Sequence, residues 1–441
     1  MTSTSRSCPL QYDSLKAVIQ QLDPNIRFKL CLLLPSLRKV DRVVPLKIKR
    51  LEFKPYEFIV NETSYRLGIY RNYGEHDVPG EHRRDNEQGG IKMDLDQYGF
   101  FNAANEATTP GDIRVRGKQL LSPDFYFDEE DVKSDEAQLK GFAFLLARKR
   151  GEVVGPPPVD ESEEFYRTIS RAEHMNVTDM QNEHDRLQKY LLPHQYRRAG
   201  TLPPYTKFAQ LNISGQWNLS HNFQKDSRLD QMQKNLTDVL FGHRSVEIHV
   251  NRLVVDYHYF TIRLPPGLKI RIRELSMDRN EPGICKELES IVDKSSYPLE
   301  VVNVEKITDH PMVLTAKKLE FKFLNDFKAF LKIHSQTVTV KRCYLPVEKY
   351  VELVQNISDQ PRETGTNMCF FHPDDNRVAA ETILEALAAG LDNVKRGTRS
   401  VTIPMENQHR QIVVSYEQNP DKYQFWSQWS IVFNVKVVEE E

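Results

Sequence analysis

Three patterns in the chain carry residue types that could do chemistry. Asp94-Leu95-Asp96 sets two carboxylates one residue apart, a pair that can hold Mg²⁺ beside a nucleotide-sugar. That use needs a nucleotide-binding α/β fold around the pair, and no G-x-x-x-x-G-K-[ST] phosphate loop occurs. Among the 13 histidines, His243, His249 and His258 sit closest together. His249 and His258 fall in or beside a strand pattern, so packed or surface histidines are the plainer reading. Cys343 and Cys369 also fall in strand patterns, where a thiol acts as a small apolar side chain; no base is placed beside either. The G-x-S-x-G elbow, H-E-x-x-H and the kinase signature set are absent. The expectation is a non-enzymatic chain with no catalytic residue, no cofactor and no metal.

Composition narrows the class. The chain has 441 residues, enough for roughly two to three domains at ~150 residues each. Its 60 Lys+Arg against 62 Asp+Glu leave a net charge of -2, which argues against a whole-molecule electrostatic grip on nucleic acid. The densest apolar cluster near the start, Leu30 to Leu34, is far too short to span a bilayer, and no export signal is read there. The 5 cysteines are scattered without a C-x-x-C, so reduced thiols in the cytoplasm or nucleus are expected. The N-x-S/T sequons at Asn61, Asn176, Asn212, Asn218, Asn235 and Asn356 are then chance occurrences.

The elements that must position any site can be read in order. Residues 1–45 form a helical segment: Leu15, Val18, Ile19 and Leu22 share one stripe, Asp23-Pro24 stops that helix and starts another, and Pro35 ends the second. Arg27 to Lys54 holds nine basic and two acidic residues, a local +7 read as a solvated face. Residues 46–155 are β-rich with long loops. Alternation over 46–73 is broken by a turn at Asn61-Glu62-Thr63, and 74–125 is loop-like. Residues 156–200, entered through Gly155-Pro156-Pro157-Pro158, make a charged helix and linker with Phe165, Ile169, Leu187, Leu191 and Leu192 as sparse apolar positions.

Residues 201–441 alternate short strands with amphipathic helices. Leu253, Leu275, Leu299, Leu319 and Cys343 mark separations of 22, 24, 20 and 24 residues. One strand and one helix or turn per 20–29 residues is the period of leucine-rich repeats, whose units stack because none can bury its apolar face alone. The fold class expected is α/β: a short N-terminal helical segment, a β-rich middle with irregular loops, and C-terminal leucine-rich-repeat-like αβ repeats. The other arrangement open to the pattern is an ordinary α/β domain with a mostly parallel sheet. Phe321, Phe323 and Tyr344 stand near basic residues, and Trp426 and Trp429 precede the last strand.

The stretch CPLQYDSLKAVIQQLDPNIRFKLCLLLPSLRKVDRVVPLKIKRLEF resembles an F-box. Pro9, Leu10, Leu15, Ile19, Leu22, Pro24, Leu30, Leu33 and Leu37 match that pattern in type. Further segments, among them YRLGIYR, DLDQYGF, SSYPLE, DHPMVLTAKKLEF and ETGTNMCFF, make the chain similar to a nematode-expanded family of uncharacterised proteins, some labelled F-box C proteins. That resemblance implies no activity and no cofactor. It implies a Skp1-type adaptor as a partner for the nine residues, with the C-terminal half presented to an unknown protein target as in a substrate-recognition adaptor of an SCF-type ubiquitin ligase. The competing reading is a structural or interaction protein without ligase coupling, whose N-terminal helices belong to the core. Neither reading involves a membrane or nucleic acid.

Overall fold

The structure, a computed structural model, describes residues 11–102, 108–115, 129–223, 228–255, 261–277, 283–360, 362–372, 377–405, 409–418 and 431–440. The chain enters through α1 (Tyr12–Gln21), α2 (Pro24–Leu33) and α3 (Arg38–Asp41). Asp23 and Pro24 set the break between the first two: the Asp23 side chain accepts from Asn25 N, and Pro24, which lacks an N–H, occupies the first turn. Then come β1 (Leu46–Lys54), β2 (Glu57–Val60) and β3 (Thr63–Asn72), with Asn61 at φ 56° in the tight turn between the last two.

The segment expected to be loop holds α4 (Gly80–Glu87) and the short strands β4 (Asp94–Leu95), β5 (Phe101–Asn102) and β6 (Ile113–Arg114). The helix escaped notice because it is polar: GEHRRDNE has no apolar stripe, and its hold on the fold comes from ion pairs such as Arg71–Asp85 at 2.8 Å. Within residues 46–155, expected to be β-rich with long loops, lies the helix α5 (Glu129–Lys149). The single charged helix expected within 156–200 is two helices, α6 (Glu163–Ala172) and α7 (Val177–Ala199), each started by its own cap, Ser162 and Asn176. Phe142, Leu145, Leu146, Ala172, Met180 and Leu187 give these three helices a small core of their own.

The remaining elements are β7 (Thr206–Ser214), β8 (Leu219–Asn222), α8 (Leu229–Phe241), β9 (Ile248–Val255), β10 (Thr261–Ile262) and β11 (Ile270–Met277). They continue through α9 (Ile284–Leu288), β12 (Val301–Lys306), α10 (Pro311–Leu314), β13 (Lys318–Phe323), α11 (Phe327–Leu331) and β14 (Thr337–Arg342). The last are α12 (Val347–Asp359), β15 (Asn367–His372), α13 (Arg377–Gly390), β16 (Lys395–Arg396), β17 (Ser400–Met405), β18 (Arg410–Gln418) and β19 (Ile431–Glu439).

The protein is therefore mixed α/β, with an N-terminal helical segment and one large sheet. Among the described residues that sheet has 15 strands, in the order β16-β17-β18-β19-β15-β14-β13-β12-β11-β9-β1-β2-β3-β7-β8. The strands from β1 through β9 and β11 to β15 are all parallel, and antiparallel strands flank them on both sides. Leu51, Leu253, Leu275, Val302, Leu319, Val338 and Met368 lie side by side across this parallel array. Two of the residues taken as repeat markers are off this row. Leu299 precedes β12 and Cys343 follows β14. Both are fully buried, so hydrophobicity alone does not distinguish them from the in-register Val302 and Val338.

Burial alternates over the first four residues of β12, β13 and β14 and throughout β15. A parallel sheet covered on both faces would read as continuous apolar runs; here only one face is covered. Phe330 of α11 packs against Phe321 and Phe370, and Tyr350 of α12 against Phe370 and Phe433. Full burial of each such side chain stabilises the fold by ~1.5–3 kcal/mol. The helices thus supply one wall of the core, and the opposite face of the strands points away from it.

Candidate interaction surfaces

Sequence reasoning singled out nine N-terminal residues, and the fold divides them. Pro9 and Leu10 lie outside the described residues. Ile19 is buried with Val40 and Val44 in a small cluster against which Leu15 packs. Pro24 is buried and Leu22 half-buried. Leu30 and Leu33 lie at i and i+3 on the other side of α2. Leu37 comes after the break at Leu34 (φ -127°, ψ 83°), in the short 3-10 turn Pro35–Leu37. Leu30 and Leu37 are half-buried, while Leu33 is 58% exposed and its neighbour Leu34 50%.

The opposite side of α2 is held in place by groups the sequence did not flag. Phe28 is fully buried, edge-on to Tyr65 of β3 and Phe241 of α8. Asn25 donates through Nδ2 to the Val60 carbonyl at 3.0 Å and accepts from the Tyr65 hydroxyl at 2.9 Å. Arg27 donates Nε to Asp41 at 2.6 Å and its Nη atoms to the Pro45, Val44 and Asp41 carbonyls. Arg244, just past α8, makes a second ion pair with Asp41. Arg27 was read as part of a solvated basic run; it is buried because a carboxylate and three carbonyls replace its water.

The rest of that basic run lies elsewhere. Lys47, Lys49, Arg50 and Lys54 point outward from β1, on the face away from the helices. Register places Lys47 beside His249 and His249 beside Arg271; Arg50 lies beside Arg252, and Arg252 beside Glu274. Arg273 precedes Glu274 and is also exposed. Further along the face, Glu320 of β13 is held between Lys318 at 2.8 Å and Lys341 at 3.3 Å. Glu52 is likewise held by Arg50 and by Lys54 at 3.0 Å. The signal missed in the sequence is that LKIKR in β1, HVNR in β9 and RIRE in β11 are one pattern repeated on adjacent strands.

The Asp94-Leu95-Asp96 pair is structural in its contacts. Asp96 Oδ1 accepts from Tyr98 N and Phe100 N, both at 2.9 Å, closing its own turn. Asp94 Oδ1 accepts from Leu229 N at the start of α8, and burial raises its pKa. Among the histidines, His243 is exposed and bonded to Asp238 at 3.2 Å, His249 is half-exposed in β9, and His258 lies outside the described residues, as do Trp426 and Trp429. Phe321 is buried, Arg342 stacks over Phe323 at 5.4 Å, and Tyr344 is exposed.

A group that sequence did not assemble is Cys343, Tyr350 and His372, all buried. The Tyr350 hydroxyl bonds His372 Nε2 and lies 3.5 Å from Cys343 Sγ. Burial raises the thiol pKa and pulls the imidazole down to about 4. Both groups are neutral near pH 7, the reverse of the thiolate–imidazolium state a nucleophilic pair requires. Cys369, on β15, is half-buried and bonds Asn434 at 3.2 Å. Among the described residues no three His, Cys, Asp or Glu converge as metal ligands, and no helix is long and apolar enough to cross a membrane.

Residues 228–371 match the model of a family described as a domain of unknown function, DUF3557. The match runs from the start of α8 to β15 and so takes in the parallel strands β9 and β11 to β15. No curated protein matches the chain.

Proposed function

We propose that this chain is a non-enzymatic protein-interaction module, acting as a substrate-recognition adaptor of an SCF-type ubiquitin ligase through its divergent F-box-like N-terminus. The observation that carries the reading is the division of α2. Phe28, Asn25 and Arg27 hold the helix firmly, and Leu33 and Leu34 remain exposed beside half-buried Leu30 and Leu37. A rigidly held apolar strip is what docking onto a Skp1-type adaptor would require, because little ordering entropy is then lost on binding. The parallel array from β9 to β15, one strand and one connection per unit, supports leucine-rich-repeat-like stacking, an architecture that offers an extended surface to a target.

A second reading is favoured by the same burial: the N-terminal helices serve the core of a structural or interaction protein with no ligase coupling. A pull-down of the intact chain on Skp1-type adaptors separates the two. Retention that is lost in the folded Leu33→Asp/Leu34→Asp variant supports the adaptor. Absence of retention by the folded intact chain supports the second reading. These substitutions suit the test because Leu33 and Leu34 are exposed, whereas Pro24 is buried.

A further inference from the structure

We propose that the outward face of β1, β9 and β11 is a docking surface for an acidic, extended segment of a partner protein. Six cations converge there from three strands separated by about 200 residues in sequence: Lys47, Lys49, Arg50, Arg252, Arg271 and Arg273, all exposed. The fold does not need this arrangement. Arg50 lies directly beside Arg252, a like-charge neighbour pair that destabilises a sheet. The carboxylates of the same three strands are already engaged: Glu52 by Arg50 and Lys54, and Glu274 by the Asn251 amide at 3.4 Å. Lys47 and Lys49 form no ion pair among the described residues; Arg271 and Arg273 form no direct one either, though they act at longer range on the carboxylates of Asp293 and Glu300. A protein of net charge -2 thus gathers a positive field on one open sheet face.

Spacing identifies the occupant. Lys47 and Lys49 are two residues apart along a strand, as are Arg271 and Arg273, a repeat of about 6.6 Å with neighbouring strands about 4.8 Å away. An extended peptide with an acidic residue at every second position repeats its carboxylates at the same interval. Single-stranded nucleic acid would call for aromatic platforms beside the cations. The outward positions of β1, β9 and β11 are Lys, Arg, His, Asn, Glu, Val and Ser; His249 is the one ring among them, and no Phe, Tyr or Trp stands there. The surface lies on strands, away from the exposed leucines of α2, so it goes beyond the adaptor reading and either can fail without the other.

The test uses the full chain and a fluorescein-labelled peptide of alternating Glu and Ser, read by fluorescence anisotropy at two salt concentrations. The expected result is binding that weakens with salt and falls at least about tenfold in Arg271→Glu/Arg273→Glu, since reversed charges now face the carboxylates. Lys47→Ser/Lys49→Ser is measured in parallel as a milder variant, with circular dichroism confirming that each is folded. The proposal is overturned if the folded intact chain does not bind, if both folded variants bind as well as it does, or if an oligothymidylate of equal charge binds more tightly than the peptide.

Discussion

Arg27 and Asp41, 14 residues apart in sequence, meet at 2.6 Å with their side chains only 2% and 4% exposed. Asp41 also pairs with Arg244, 203 residues further on and equally buried, so one carboxylate ties α2, α3 and the end of α8 together. Removing it strands two buried guanidinium groups. Asp41→Ala is expected to cost about 3–5 kcal/mol in urea or guanidinium unfolding, the range for breaking a buried pair. A loss below about 1 kcal/mol, the value typical of exposed pairs, would show that water reaches this cluster.

The two sides of α2 should respond differently. Phe28→Ala empties a site between Tyr65 and Phe241 and is expected to cost about 3–5 kcal/mol. Leu33→Ala, on the exposed side, should stay within about 0.5 kcal/mol of the parent. Equal losses at both positions would mean that Leu33 is covered in solution, for instance by a second copy, and concentration-dependent sedimentation would reveal that.

Acid should destabilise the protein before its carboxylates titrate. Burial pulls His372 from 6.5 down to about 4, and His82, bonded to the Tyr73 hydroxyl at 2.6 Å, to about 3. Between the folded and unfolded values the unfolded chain binds more protons, so stability is complete above about pH 6.5 and declines as pH falls toward 4. The His372 contribution is on the order of 3 kcal/mol. Urea midpoints measured from pH 7 to 4.5 should drop, and His372→Gln should flatten part of that slope. Parallel curves for the two proteins would contradict this.

Thiol accessibility should rank the cysteines. Burial pushes Cys31 and Cys285 up to about 11 and raises Cys343, and all three are buried. Cys369 is only partly buried, on the outward side of β15, though its pKa is raised too. Reaction needs thiolate and access together. Peptide mapping after timed alkylation in native buffer should show Cys369 modified before Cys31, Cys285 and Cys343, and all four modified in denaturant. Early labelling of Cys343 would mean that the Tyr350–His372 pocket opens.

Much of the fold was legible locally. Period-two segments such as LEVVNV and RSVTIPM overlap β12 and β17, because period-two patterning reports which side of a strand is covered. Asp23-Pro24 marked the start of α2 through chemistry confined to two residues. The polar α4 was not legible, since a helix held by ion pairs leaves no apolar period. The markers Leu299 and Cys343 misplaced the row because burial is shared by residues inside a strand and residues flanking it.

By itself the sequence determined those strands and helices that carry an apolar period, and which side of each is apolar, because those choices depend on neighbours within a few residues. Tertiary structure alone decided which strands lie side by side, and with that the meaning of the charges. Arg27 lies within the same basic run as Lys47 and Lys49, yet it is buried against Asp41 while they join Arg271 and Arg273 on an open face. Desolvation and pairing of charge depend on groups brought within a few ångströms by the whole chain, and no local pattern encodes that distance.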